Sequence, residues 1–312
     1  MTGGGAALAP RDRHWRWAMG LTAAACAAAL AAGGVPERIQ FGALLVGVAV
    51  IGFPHGALDP LVAGLGLRLG SPARVLSFLG AYVVLAASVL GLWSISPALG
   101  LALFLSTSAL HFGLGDTDRR EASSTTVHAL RVVAHGAAPI ALPAIAHPAP
   151  VSEIFGWLVG ASGSAVEDWL TAAAPALGGG WLLMALAAYT LPGARRLRGA
   201  AELAALAAAF ALLPPLLSFT LYFCLWHSAR HLIEVHAALG GLRSGRKALV
   251  GAAVLLGTAL LMGAGHRLAE VASTTPGYVR TVFIALACLT PPHMLVTALL
   301  ARRGSSADAR ER

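Results

Sequence analysis

Residues 40–65 read "QFGALLVGVAVIGFPHGALDPLVAGL", a run in which His55 and Asp59 are the only ionisable side chains. A bilayer core of about 30 Å asks a helix for roughly 17–25 apolar residues, and this stretch supplies them. Two titratable groups four residues apart inside it need a reason. The rest of the chain makes the same demand on its solvent. Of 312 residues 57% are hydrophobic and 12% charged, with a mean hydropathy of +0.74; a soluble domain carries about 25% charged residues. The balance is that of an all-α, polytopic integral membrane helical bundle.

Apolar runs place spans near 16–33, 40–65, 75–93, 98–115, 127–147, 174–192, 200–213, 216–239, 248–264 and 278–300, about ten helices in one domain over residues 1–301. The run at 200–213 is the shortest and stops at Pro214-Pro215. Basic residues gather at Arg11 to Arg13, Arg68 to Arg74, Arg119-Arg120, Arg195 to Arg198, Arg243 to Lys247 and Arg302-Arg303. Ten spans with both termini cytoplasmic put every one of these clusters on the inner side. The formal charge of +8 is thereby explained by topology and anionic headgroups, and no nucleic-acid partner is expected. The opening "RDRHWRWAMGLTAAACAAALAAGG" has the look of a signal peptide but is read as a retained first helix. Cys26, Cys224 and Cys288 all fall within spans and imply no disulfide framework. Residues 149–173 form the longest external connection, with short interfacial helices expected around Trp157 and Trp169. The tail 302–312, "RRGSSADARER", reads as disordered and cytoplasmic.

Ionisable side chains inside a bilayer usually face the bundle interior and serve function. His55, His111, His227, His231 and His293 lie on spans that all run from outside to inside. Each falls at roughly the twelfth to sixteenth residue from the outer end, a spread of ~6 Å at 1.5 Å per residue. His135, on an oppositely directed span, reaches a similar level. His227 and His231 share one helix face at i and i+4, and Glu234 continues that face, able to orient an imidazole or to pair with a basic group. Asp59, one turn after His55, is expected to accept from its second ring nitrogen; Asp116 can do so for a neighbouring histidine. His135 and His293 are candidates for the pocket wall. The glycines beside these histidines serve either helix packing or room for a bulky ligand. His14, His128, His147, His236 and His266 fall near membrane edges.

Four neutral imidazoles suit Fe, Cu or Zn. A four-histidine tetrahedral zinc would be closed, so iron, which keeps positions open for oxygen, is the better choice. Four motifs now carry a resemblance: "GFPHGALD" at 52–59, "HFGLGD" at 111–116, "WHSARH" at 226–231 and "PPHM" at 291–294. Through them, in order and separation, the chain resembles the Brp/Blh family of membrane β-carotene 15,15′-dioxygenases. The resemblance implies a multi-pass enzyme of the cell membrane that uses Fe(2+) and O2 to split the central double bond of β-carotene, or of a related carotenoid taken from the lipid phase, into two molecules of retinal. Carried over by residue, it implies His55, His111, His227 and His231 as iron ligands, and a retinal-binding rhodopsin as a natural downstream partner. Phe53, Phe112, Phe223 and Trp226 are the candidates to line an apolar substrate tunnel. Two other classes use intramembrane histidines: a haem-binding electron-transfer protein and a proton-coupled transporter relying on His and Asp. Neither employs four motif histidines as economically.

Overall fold

A computed structural model describes residues 10–67, 71–160, 164–240 and 274–308, with scattered positions between 245 and 263. The expected span at 248–264, His266 and the basic residues Arg68, Arg243 and Lys247 lie wholly or largely outside the described residues. The described chain is helical, and no strand occurs in it. In order it forms α1 (Pro10–Ala31), α2 (Glu37–Gly47), a π-helical turn (Val48–Gly52), α3 (Phe53–Ala57), α4 (Asp59–Leu67), α5 (Pro72–Ile95), α6 (Pro97–Asp116), a short 3-10 turn (Arg119–Glu121), α7 (Thr125–Ala146), α8 (Pro148–Val159), α9 (Ser164–Thr190), α10 (Arg196–Leu212), α11 (Pro215–Thr220), a second π-helical stretch (Leu221–Ser228), α12 (Ala229–Ala238) and α13 (Thr275–Asp308).

Six helices among the described residues are long and apolar enough to cross a membrane: Glu37–Gly64, Pro72–Ile95, Pro97–Asp116, Thr125–Ala146, Glu167–Thr190 and Thr275–Ala298. The expected spans at 16–33, 200–213 and 216–239 are also helical. They fall short of that standard for physical reasons: α1 has eight alanines among its 22 residues and begins with Arg11, Asp12, Arg13 and Arg16, α10 has 17 residues, and α12 carries Arg230, two histidines and Glu234. Leu76, Val83, Val84 and Ile95 on α5 and Leu182, Leu183 and Leu186 on α9 are exposed, the side-chain chemistry of a lipid-facing belt. The interior is filled by Leu44, Val48, Phe104, Phe112, Leu206, Phe210, Tyr222, Phe223, Trp226 and Val279 in one cluster.

Two expectations for the connections change. Part of the segment 149–173 is interior: Val151, Ile154 and Leu158 of α8 are buried, because that helix offers an apolar face to α6, α7 and α13, and Gly160 ends it at φ +74, while Trp169 beyond it stays exposed. The tail expected to be disordered from Arg302 is helical as far as Asp308, since a helix already nucleated propagates at little cost.

The basic loops converge. Arg195 bonds Asp12 at 3.2 Å and approaches Glu121 at 3.7 Å, Arg198 bonds Asp12, and Arg11 reaches both Asp118 at 4.0 Å and Glu234. A single backbone bridge joins Ala122 to Gly193. Burial pushes the Asp118 carboxyl up, but hydrogen bonds from Arg120 and the charges of Arg120 and Arg11 outweigh it and hold it below its ordinary value. Residues near 11–13, 118–121 and 195–198 thus share one end of the bundle.

Local irregularity positions the interior histidines. Pro54 offers no N–H, and the ladder before it opens to the wider spacing, Phe53 N–H bonding Val48 O. Pro60 breaks the run again, so Leu58 forms a turn and Asp59 opens a new helix. Pro291 and Pro292 lie inside α13 immediately before His293. Helices α6 and α7 meet through Gly113 and Gly136: a Cβ at Gly113 would lie 2.1 Å from the Val132 carbonyl oxygen, and one at Gly136 would lie 1.9 Å from that of Ala109. Only glycine permits that contact, and it brings His111 into the interior.

Candidate metal centre

His55 of α3, His111 of α6 and His227 of the second π stretch are buried, and their ring nitrogens lie within 4.8 Å of one another. The Nε2 atoms of His111 and His227 are 2.9 Å apart. His231 and His293 stand beside them: His231 is 5.8 Å from His55 and 5.1 Å from His293 between ring centroids. Seven of the ten ring pairs among these five histidines stand between 4.7 Å, for His55–His293 and His111–His227, and 6.5 Å, for His55–His111, between centroids; the pairs of His231 with His111 and His227, and of His293 with His227, are not among them. Imidazoles sharing one ion at about 2.1 Å per metal–nitrogen bond have centroids roughly 4.5–6.5 Å apart.

The other ring nitrogens decide which lone pairs are on offer. His55 Nδ1 donates to the Gly52 carbonyl, which can only accept. His227 Nδ1 lies 3.2 Å from Asp116 Oδ1, and His293 Nδ1 lies 2.9 Å from both Asp59 oxygens. With Nδ1–H spent in this way, each Nε2 carries a lone pair, the form in which imidazole binds a metal. Nε2 of His231 and of His293 is buried without a hydrogen-bond partner. Buried polar atoms are seldom left unpaired, so a cation at the centre of the group suits the residues present.

Asp116 is the hub of a second layer. Its Oδ2 accepts from Tyr222 at 2.6 Å, Arg230 donates to its backbone carbonyl at 3.0 Å and lies 3.5 Å from Oδ1, and Arg230 binds Glu202 of α10 at 2.5 Å. Asp116 faces His227, the neighbour that its place in the sequence allowed it. Asp59 does not serve His55, as its spacing suggested. The turn at Leu58 breaks the i, i+4 relation, and Asp59 turns to His293 and Tyr82, whose hydroxyl donates at 3.1 Å. Glu234 pairs with Arg11, the second of its expected alternatives. His135 stands apart from the group, its Nε2 2.5 Å from the Tyr189 hydroxyl. Tyr222, Arg230 and Glu202 escaped the sequence reading, although Glu202 is the lone acid in the run 200–213.

A cavity of about 160 Å³ opens on the histidines, touching His55, His111 and His293 and walled by Phe53, Phe78, Phe104, Phe112, Phe219 and Phe223. Three of the four tunnel candidates line it. Trp226 does not: fully buried, it faces α1 and donates to Thr22 at 2.9 Å. A second cavity of about 80 Å³ lies between α6, α7 and α8, and shares Phe104, Ser108, Phe112 and Phe219 with the first. Gly115 keeps room at the ring of His227, where a Cβ would come within 3.0 Å of Cε1; Gly113, by contrast, serves helix packing.

Fold and site together define a membrane-type helical bundle with a buried histidine cluster that could hold a metal beside an apolar chamber. The comparisons make the class specific. The family model described as "Beta-carotene 15,15'-dioxygenase" matches residues 46–301, and the chain belongs to that family. It is 30% identical over 264 residues to the β-carotene 15,15′-dioxygenase of an uncultured marine bacterium, covering 83% of this chain and 93% of that protein. It is 27% identical over 319 aligned positions to the probable β-carotene 15,15′-dioxygenase Blh of Halobacterium salinarum, covering 91% and 92%. No solved structure matches.

Proposed function

We propose that this protein is an iron(II)-dependent dioxygenase of the cell membrane that cleaves β-carotene at its central 15,15′ double bond with O2, giving two molecules of retinal. The observation that carries the reading is the opening of the histidine group directly onto an aromatic-walled cavity, in a chain whose relatives are named for this reaction. His55, His111, His227 and His231 would hold the iron, which supplies the activation of O2. One C=C bond breaks, two C=O bonds form and both oxygen atoms end in the aldehydes. No proton is gained or lost overall, so the net reaction does not call for a general acid–base pair.

What the chain's own residues do is hold, orient and exclude water. Phe53, Phe112 and Phe223 flank the histidines and would keep a polyene against them. Central cleavage of a symmetric molecule needs a limb on each side of the reacting bond. The first cavity, extending to Phe78 and Tyr82, and the second, beyond Phe104 and Ser108, would take one limb each. Ile154→Trp, which fills the second cavity, is expected to cut β-carotene turnover at least tenfold. It should spare an apocarotenal that keeps the central bond and one ring but has a shortened second limb. Equal losses on both substrates would show that the second cavity takes no part.

We also infer ten spans with both termini on the cytoplasmic side. The convergence of the basic loops near 11–13, 119–120 and 195–198 supports that orientation. The test of function is expression in cells that accumulate β-carotene: colour should fade and retinal should appear. Folded, iron-loaded protein that leaves the carotenoid intact would overturn the reading.

A further inference from the structure

Resting on the metal reading above, we propose that His293 is a further nitrogen ligand of the same ion, aimed by Asp59 and Tyr82. Its ring centroid stands 4.7 Å from that of His55, 5.0 Å from that of His111 and 5.1 Å from that of His231. Its Nδ1 is engaged by both oxygens of Asp59 at 2.9 Å, and its Nε2 is buried and unpartnered. The bond to Asp59 uses one nitrogen only, and what sets His293 apart is that the ring carrying the unpartnered Nε2 packs against three other imidazoles.

The support given to His293 repeats the support given to His227. On one side Tyr222 donates to Asp116, which faces His227 Nδ1. On the other Tyr82 donates to Asp59, which faces His293 Nδ1. Each chain runs tyrosine, aspartate, histidine, with Nδ1 toward the carboxylate and Nε2 on the other side of the ring. The two are assembled from different helices: α6 and the π stretch for the first, α4, α5 and α13 for the second. A carboxylate behind the far nitrogen fixes the tautomer of a metal-bound imidazole and raises its basicity. Five imidazoles would leave a six-coordinate iron one open position, so the substrate would be held by the cavity wall rather than by the metal.

The test uses the full-length protein in detergent, loaded with Fe(II) without oxygen or with Co(II), whose visible absorption reports ligand number and geometry. His293→Ala should weaken Fe(II) binding roughly 100-fold and change the Co(II) spectrum, and free imidazole should restore both. Asp59→Asn should weaken binding by about tenfold, within the range for partners behind a ligand, while keeping the band pattern of the wild type. Should His293→Ala not fold, His293→Gln, which keeps volume and an amide facing Asp59, is read in the same way. Wild-type affinity and an unchanged Co(II) spectrum in a folded His293 variant overturn the assignment and leave the metal reading standing. A wild-type protein that binds neither ion overturns both.

Discussion

His227→Ala should abolish bound iron and, with it, retinal formation. His227 is the residue on which the two layers of the site join. Its Nε2 meets His111 Nε2 at 2.9 Å, and its Nδ1 meets Asp116, which Tyr222 and Arg230 hold in place. Removing the imidazole takes one donor from the group of three whose nitrogens lie within 4.8 Å and leaves Asp116 facing a void. Loss of partners behind a metal ligand costs about 10–100-fold in affinity, so loss of the ligand itself should cost roughly 100-fold or more. Iron per chain, measured after gel filtration at a fixed low Fe(II) concentration, should fall to background while the elution volume is unchanged. A variant that keeps iron and retinal output would remove His227 from the site.

Arg230→Leu should produce the largest loss of stability. Arg230 lies between Asp116 and Glu202, and the side chains of those two acids are 2% and 8% exposed, too little for water to replace the guanidinium. Deleting one partner of a buried charge pair leaves the other uncompensated and costs about 3–5 kcal/mol. Here two carboxylates are left. The unfolding midpoint should drop accordingly, and Glu202→Gln added to Arg230→Leu should recover part of the loss, because one stranded charge is then gone. An additive double variant would mean that the pair is not coupled. Retinal formation should fall as well, since Asp116 loses the group that fixes it behind His227.

How far these arrangements were legible in the sequence depended on whether they obeyed a period. Apolar runs of helical length and the depth of each histidine within its run sufficed to place His55, His111 and His227 together, because depth is set by a constant rise per residue. The clustering of arginines placed the loops near 11–13, 119–120 and 195–198 on one side without saying which of them touch, and Arg195, Asp12 and Glu121 do. Rotation about the helix axis was lost wherever the period failed. Asp59 was assigned to His55 by a spacing that the turn at Leu58 destroys, and Trp226 was assigned to the tunnel although the π-helical stretch turns it toward Thr22. The pairing of Arg230 with Glu202 joins residues 28 apart on different helices, and that of Arg230 with Asp116 joins residues 114 apart. No local pattern encodes either pairing. Whether a helix with few strongly apolar residues crosses the bilayer, as for α1 and α10, is also decided by its neighbours in the bundle as much as by its own composition.

The most direct measurement is product stoichiometry under control of the metal. Purified protein in lipid nanodiscs is given Fe(II), β-carotene and O2, and every apocarotenoid is quantified by chromatography before and after chelation. The account predicts two retinal molecules for each β-carotene consumed, loss of activity on removing iron and its return on adding Fe(II). Products of unequal length, or retinal formation that continues after the metal is removed, would contradict it.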